Sequence, residues 1–186
     1  MSKLSLQNKK ILVGVTGGIA VYKSCSLVNL LISEGAEVRV IMTKAAKQFV
    51  TPLTFQALTN HPVYEDLWDI IDPHSVEHIS LARWADVIVV APATANTIAK
   101  IAHGMADNLL TTVILAVSPE THVFIAPAMN THMWENNFVQ NNIASIMGAK
   151  GFYVIDPREG ILACREEGAG KIARPEDIVD MIKEHI

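Results

Sequence analysis

The sequence is poor in the residues that mark several protein classes. Its 186 residues hold two cysteines, Cys25 and Cys164, without CxxC spacing, which argues against a disulfide scaffold and favours a reducing compartment. The formal net charge of -4 provides no basic stripe for nucleic acid. No apolar run reaches the about 18 residues of a membrane helix, and the N-terminus has no signal-peptide core. We therefore expect a soluble, cytoplasmic protein with neither a nucleic-acid nor a membrane partner.

Apolar residues are abundant, at 50% of the chain, and they follow strand and helix patterns. The length and composition predict one globular domain over residues 1–186. Apolar strands alternate with segments of helical spacing, which predicts an α/β fold: a parallel sheet with helices on both faces in a three-layer, Rossmann-like arrangement. The strands are predicted at 10–16, 36–43, 85–94, 122–128 and 152–156.

Helices are predicted between these strands. They cover 19–34, two short segments within 44–59, and 95–104, 107–116, 130–151 and 175–186. The stretches 60–77 and 157–174 lack periodicity and are predicted to be loops. In an open parallel sheet, ligands bind at the carboxyl ends of the strands, so a site is expected there.

The first two strand ends carry small residues. Gly17 and Gly18 can bring backbone amides close to an anion at the start of a helix. The GxGxxG spacing is absent, and Thr43 follows the second strand in place of an acidic residue. A phosphate or mononucleotide therefore fits better than NAD. The alternative is that the two glycines only make a tight turn.

Polar residues also follow two later strands. Thr94, Asn96 and Thr97 could hold a phosphate or sugar hydroxyls, or simply cap the next helix. Asn130 and Met133 in "PAMNTHMW" are three residues apart on a predicted helix. The amide could hold a carboxylate and the thioether could pack on a flat ring. The alternative is that Asn130 caps the helix and Met133 fills the core.

Titratable residues outside the strand ends are candidates for catalysis. His78 is a candidate base, with a solvated surface histidine as the alternative. Cys164, in a glycine-rich stretch, is a candidate acid or nucleophile, whereas Cys25 is expected to pack within a helix. His74 and Asp72 lie near His78, but no further ligand accompanies them at informative spacing, so no metal site is predicted.

Several motifs resemble, in order and spacing, the flavin-dependent cysteine decarboxylases. The matching stretches are "GVTGGIA", "HISLARWADVIVVAPATANTIAKIAHGMADNLL", "APAMNTHMW" and "LACREEGAG", and the resemblance covers essentially the whole chain. It implies a flavoprotein fold with FMN against the strand ends. Its nearest branch implies decarboxylation of 4′-phosphopantothenoylcysteine to 4′-phosphopantetheine. In this family the flavin oxidises the substrate to a thioaldehyde, carbon dioxide leaves, and the resulting enethiolate is reduced again.

The resemblance also implies roles for individual residues. His78 would be the base, and Cys164 would give a proton to the product. Asn130 would be catalytic and would meet the substrate carboxylate, with Met133 nearby. FMN would be held by Gly17, Gly18, Ile19, Thr43, Thr94, Ala95, Asn96, Thr97 and Ala128.

Substrate binding and partners are implied as well. Ala163 would contact the substrate, and Lys171 would add positive charge for its phosphate. Many relatives carry "GRM" where this chain has "GKIA". The glycine-rich loop 160–172 would close over the substrate. The family forms homotrimers, some of which assemble into dodecamers, and a phosphopantothenoylcysteine synthetase is a further expected partner.

Other members of the same family give alternative functions. A peptidyl-cysteine decarboxylase of lantibiotic maturation shares "PxMNxxMW" but lacks the reducing cysteine, so Cys164 speaks against it. A non-catalytic, FMN-binding regulatory subunit usually carries long acidic extensions, which this chain lacks. A flavin prenyltransferase would need neither "PAMN" nor the loop cysteine.

Overall fold

The computed structural model describes residues 5–69, 76–161, 165 and 167–186. None of the helices in these ranges is long and apolar enough to cross a membrane. The strands are β1 Lys10–Val15, β2 Glu37–Met42, β3 Val63–Tyr64, β4 Val87–Ala93, β5 His122–Pro127, β6 Phe152–Val154, β7 Arg158–Ile161 and β8 Glu167–Lys171. The helices are α1 Val21–Ser33, α2 Pro52–Thr59, α3 Glu77–Trp84, α4 Ala95–Ala102, α5 Leu109–Leu115, α6 Thr131–Trp134, α7 Asn137–Met147 and α8 Pro175–His185, with one 3-10 turn at Ala46–Gln48.

Strands β1 to β6 form one parallel sheet in the order β3-β2-β1-β4-β5-β6. Val13 of β1 lies between Val40 of β2 and Val89 of β4. The chain therefore builds the sheet outward from β1 to one side, and then from β4 to the other. The loops that leave these two strands diverge, which opens a crevice at their carboxyl ends.

Apolar side chains on both faces of the sheet form two cores. Along β4, Val87 and Val89 belong to the core with α1, α2 and α8, while Ile88 and Val90 belong to the core with α3, α4, α5 and α7. All four side chains are fully buried. Burial on both faces explains why this strand is continuously apolar. The predicted α/β fold with helices on both faces of a parallel sheet is confirmed.

A buried hydroxyl joins β1 and β4 where the strand order reverses. Thr16 Oγ1 donates to the Pro92 carbonyl at 2.6 Å and accepts from the Thr94 amide at 3.1 Å. One turn into α1, Ser24 Oγ donates to the Ala91 carbonyl at 2.7 Å. These bonds hold the start of α1 against the end of β4.

The structure corrects three predictions. The stretch 60–77, expected to be a loop, contributes the short strand β3 to the sheet. The single helix expected at 130–151 is two helices, α6 and α7, because Asn136 Oδ1 accepts the Phe138 amide at 2.9 Å and caps a new helix. The loop expected at 157–174 contains an antiparallel hairpin of β7 and β8. Glycines at positive φ, such as Gly160 at +143°, interrupt the alternating pattern by which strands are recognised.

Replacing Thr16 with valine keeps the side-chain shape and removes the hydroxyl. The Pro92 carbonyl and the Thr94 amide would then lose a buried partner, so we expect the free energy of unfolding to fall by about 1–3 kcal/mol. A denaturant titration measures this. Ser33→Ala is the control, since it removes an exposed hydroxyl that bonds only to the nearby Leu30 carbonyl. Equal stability of Thr16→Val and the wild type would contradict the bridging role.

Candidate functional site

A cavity of about 540 Å³ opens at the carboxyl ends of β1, β4 and β5. It lies between the start of α1 and the hairpin of β7 and β8. Its volume falls within the about 300–1,000 Å³ that is usual for small-molecule sites. Five residues that the sequence singles out line it: Gly18, Ile19, Ala128, Asn130 and Lys171. The lining residues that sequence reasoning missed include Tyr22, Lys23, Pro92, Met129, Ile161 and Gly170.

The two glycines after β1 differ in their surroundings. A Cβ on Gly17 would lie 2.5 Å from the Cβ of Ala45, so this position lets the loops after β1 and β2 approach closely. Gly18 has φ +150°, and a Cβ there would meet no atom within 4 Å. Gly18 therefore presents bare backbone to the cavity, while Gly17 is outside its lining and serves packing.

Thr43, after β2, does not line the cavity. Its hydroxyl donates to the Val15 carbonyl and accepts from the Ala46 amide, each at 3.3 Å. A threonine hydroxyl has a single hydrogen to donate. Donation from Thr43 to a phosphate would therefore require breaking its bond to Val15.

The polar turn after β4 also lies outside the cavity lining. Thr94 Oγ1 accepts the Thr97 amide at 3.2 Å and donates to the Thr97 hydroxyl at 3.1 Å. Thr94 is thus the N-cap of α4, the alternative that the sequence left open. Ala95 is half-buried and Asn96 is exposed. The turn is still tied to the β1 end, because the Thr94 amide donates to Thr16.

Asn130, after β5, both caps a helix and lines the cavity. Its Oδ1 accepts the His132 amide at 2.9 Å, which makes it the N-cap of α6. The same segment is tied to β4, since the Ala128 amide donates to the Ala93 carbonyl at 3.0 Å. Met133 does not fill the core: its side chain is 48% exposed and lies outside the cavity lining.

The hairpin of β7 and β8 forms one side of the cavity and docks through its backbone. The Met129 amide donates to the Gly170 carbonyl at 3.0 Å. Gly170 has φ +131°, and a Cβ there would collide with the Met129 carbonyl. At Gly168 a Cβ would lie 2.5 Å from Thr131 Oγ1. Glycine is needed at both positions for the hairpin to reach the strand end that carries Asn130.

Positive charge collects on one wall of the cavity. Lys23 of α1 and Lys171 of β8 both line it, and Arg158 is opposite Lys171 in the hairpin register. Burial lowers the pKa of Lys23, and the charges of Lys171 and Arg158 lower it further. The sequence does hold a signal for Lys23: it stands in the first turn of a helix, where a cation is unfavourable.

The candidate catalytic residues are not all brought to the cavity. His78 is half-buried in the first turn of α3, outside the cavity lining. Ala163 and Cys164 lie outside the described residues, as does His74. Cys25 is half-buried against the core, as expected, and burial raises the pKa of its thiol. Among the described residues, no group of three or more His, Cys, Asp or Glu side chains is placed to hold a metal ion.

The chain is similar along its length to known proteins. A family described as "Flavoprotein" matches residues 1–186. The coenzyme A biosynthesis bifunctional protein CoaBC of Bacillus subtilis is 49% identical over 180 residues, which cover 97% of this chain and 44% of that protein. A probable phosphopantothenoylcysteine decarboxylase of Streptococcus mutans is 46% identical over 178 residues, which cover 96% of this chain and 99% of that protein. This chain thus spans less than half of the bifunctional relative.

A solved structure shares the fold. It is a PPC decarboxylase mutant complexed with pantothenoylaminoethenethiol, with a TM-score of 0.84 and 35% sequence identity. The match covers 96% of this chain and 98% of that one. The likeness therefore extends over nearly all of both chains.

Gly170→Ala should weaken the docking of the hairpin. The new Cβ would collide with the Met129 carbonyl, and the alanine would have to adopt an unfavourable φ of +131°. We therefore expect the Met129 amide to exchange its hydrogen about 5- to 100-fold faster, which is equivalent to about 1–3 kcal/mol. Gly148→Ala is the matched control, because Gly148 has an ordinary φ of -74°. A Cβ added there would lie 3.5 Å from the nearest atom, the Ser145 carbonyl oxygen. Unchanged protection of Met129 in Gly170→Ala would refute backbone docking.

Proposed function

Because the chain belongs to the flavoprotein family, we propose that it is an FMN-dependent carbon–carbon lyase that decarboxylates 4′-phosphopantothenoylcysteine to 4′-phosphopantetheine in coenzyme A biosynthesis. The observation that carries the proposal is that Gly18, Asn130 and Lys171 line one cavity. These residues are far apart in the sequence. Each was singled out for a different ligand group: the cofactor phosphate, the substrate carboxylate and the substrate phosphate.

The names of the relatives support this choice of substrate. One is a probable phosphopantothenoylcysteine decarboxylase, and another is a bifunctional protein of coenzyme A biosynthesis. The ligand in the similar solved structure, pantothenoylaminoethenethiol, is an unsaturated thiol on a pantothenoyl arm. Such a compound is what decarboxylation yields when the final reduction is missing.

The residues at the carboxyl edge fit FMN chemically. Gly18 offers backbone at the positive end of α1, which suits a phosphate. Ile19 and Tyr22 are each 60% exposed at the cavity and can flank a flat ring or an apolar arm. In the proposal the Thr43 and Thr94 hydroxyls would exchange their internal hydrogen bonds for bonds to the ribityl chain and phosphate. Asn96 and Thr97 would add an amide and a hydroxyl, with Gly17, Ala95 and Ala128 forming the adjoining backbone.

A cysteine carboxylate has no electron sink of its own, so its decarboxylation needs one. When bound, FMN would supply it by accepting a hydride from the carbon that bears the thiol and returning it after carbon dioxide has left. Asn130 would hold the carboxylate through its Nδ2 group, because the amide nitrogen is a donor whereas Oδ1 is an acceptor, here of the His132 amide. The cap bond fixes the amide plane and so orients the donor. Met133 would pack beside the substrate, as the family resemblance implies.

Proton transfers fall to two side chains in this proposal. His78 would take the thiol proton as general base during the oxidation step. Cys164 would deliver a proton to carbon when the enethiolate is reduced, with Ala163 contacting the substrate beside it. Cys164 and Ala163 lie outside the described residues, so these roles rest on the "LAC" motif of the family.

The proposal includes a homotrimer, or a dodecamer of trimers. Several large apolar side chains support an association of copies, since Phe138, Leu115 and Met105 are 81%, 61% and 50% exposed. A phosphopantothenoylcysteine synthetase is a proposed partner, in keeping with the bifunctional relative. We also assign the protein to the cytoplasm, where a coenzyme A enzyme with free thiols would work.

The proposed function is tested by an absorption spectrum of the purified protein and mass spectrometry of the product. We expect a flavin spectrum, and conversion of 4′-phosphopantothenoylcysteine to a saturated thiol that is lighter by one carbon dioxide. A yellow protein that leaves this substrate unchanged but decarboxylates a cysteine-terminated peptide would identify a peptidyl-cysteine decarboxylase instead. A protein that binds flavin and turns over neither would fit the regulatory alternative.

Variants of the two proton-transfer residues should fail at different steps. Cys164→Ser is expected to release carbon dioxide but to yield the unsaturated enethiol, because the proton for the final reduction is missing. His78→Asn is expected to lower carbon dioxide release by about 10²- to 10⁴-fold, the usual contribution of general-base catalysis. His132→Asn, at an exposed histidine, is the control. Normal saturated product from Cys164→Ser would remove Cys164 from the mechanism.

A further inference from the structure

The positively charged wall of the cavity is made by elements that are remote in sequence. Lys23 comes from the first turn of α1, and Lys171 from the last residue of β8. Arg158, at the start of β7, lies opposite Lys171 in the hairpin. A Cβ built on Gly160 would lie 3.6 Å from the Lys171 ammonium, so that side chain extends along the hairpin surface.

The position of Lys23 is electrostatically unfavourable. The first turn of a helix carries partial positive charge and favours acidic side chains, yet α1 has none there. Lys23 therefore adds a full positive charge to a partial one, beside Lys171 and Arg158. These charges and partial burial together lower the pKa of Lys23. An arrangement of this kind is stabilised when an anion binds.

Within the described residues, no carboxylate forms an ion pair with either lysine of this wall. Three lysines elsewhere in the molecule do form ion pairs: Lys47 with Glu65 at 2.7 Å, Lys100 with Asp107 at 2.6 Å and Lys183 with Glu34 at 2.9 Å. Lys23 and Lys171 form none in the described part of the chain. No ion pair within the described residues therefore competes with a ligand for these two ammonium groups.

We propose that Lys23 and Lys171, with Arg158 behind them, bind the terminal phosphate of the substrate. This assignment rests on the proposed function for the identity of the substrate. A phosphate monoester carries close to two negative charges at neutral pH, which matches two ammonium groups. The apolar side chains of Tyr22 and Ile161 line the same cavity and would flank the arm that carries the phosphate.

The phosphate of FMN has the same chemistry, so the two sources must be separated. The cofactor phosphate can be met by uncharged groups, namely the Gly18 backbone at the start of α1. The hydroxyls of Thr43 and Thr94 lie outside the cavity lining, whereas both lysines share the cavity with Asn130. Gly18 lines this cavity too, so the binding experiment, and not position, separates the two phosphates.

The test measures binding of 4′-phosphopantetheine and of pantetheine to the FMN-loaded protein by calorimetry. The wild type should bind the phosphorylated compound more tightly. Lys23→Met and Lys171→Met should each lower affinity for 4′-phosphopantetheine by about 10- to 100-fold, the range for a hydrogen bond to a charged group, and leave pantetheine within about twofold. Lys23→Arg should retain most of the preference. Lys150→Ala, at an exposed lysine before β6 on the opposite edge of the sheet, should match the wild type.

Two results would overturn the assignment. One is an equal loss of affinity for both compounds in Lys23→Met and Lys171→Met. The other is a loss of FMN affinity with riboflavin affinity unchanged, which would assign the lysines to the cofactor phosphate. Far-ultraviolet circular dichroism reports whether each variant folds. The proposed function fails separately: a wild type that prefers 4′-phosphopantetheine but never releases carbon dioxide would retain the phosphate site and remove the decarboxylase activity.

Discussion

The carboxyl edge of the sheet depends on the buried hydroxyl of Thr16. It joins the ends of β1 and β4, whose following helices go to opposite faces of the sheet. The parallel ladder sets the register of β1 and β4 as far as Gly14 and Val90, and this bridge continues the contact to Pro92 and Thr94. Because the hydroxyl is buried, water cannot replace it, and an unsatisfied carbonyl or amide there is costly. Gly18 and Pro92 line one cavity because this bond fixes their strands.

A second constraint comes from glycine in the hairpin. Gly168 and Gly170 let β8 approach the segment after β5, where a side chain would meet Thr131 or the Met129 carbonyl. The hairpin is therefore positioned relative to Asn130 by main-chain contact, which a change of rotamer cannot loosen. Lys171 follows Gly170 directly, so the same contact determines where this positive charge lies. The two groups proposed to bind substrate, Asn130 after β5 and Lys171 in β8, are thus held in a fixed position relative to each other.

The sequence predicted the layers and the binding edge because both follow from periodicity. Continuous apolar strands imply burial on two faces, and parallel strands place their carboxyl ends together, so Gly18 and Asn130 could be expected at one edge. It did not predict which polar groups would line the cavity, since that depends on local bonds. Thr94 is used as a helix cap, and Thr43 donates to the Val15 carbonyl. The hairpin was missed because its glycines conceal the strand pattern.

Charge placement was the least predictable feature, for a physical reason. Lys171 is separated from Lys23 by most of the chain, and only the docked hairpin brings both to one cavity. A lysine in a first helical turn is a weak signal by itself, because its energetic cost there is small. In the folded chain, Lys23 is also repelled by the charges of Lys171 and Arg158. We infer that this unfavourable charge serves to bind an anionic ligand and does not stabilise the fold.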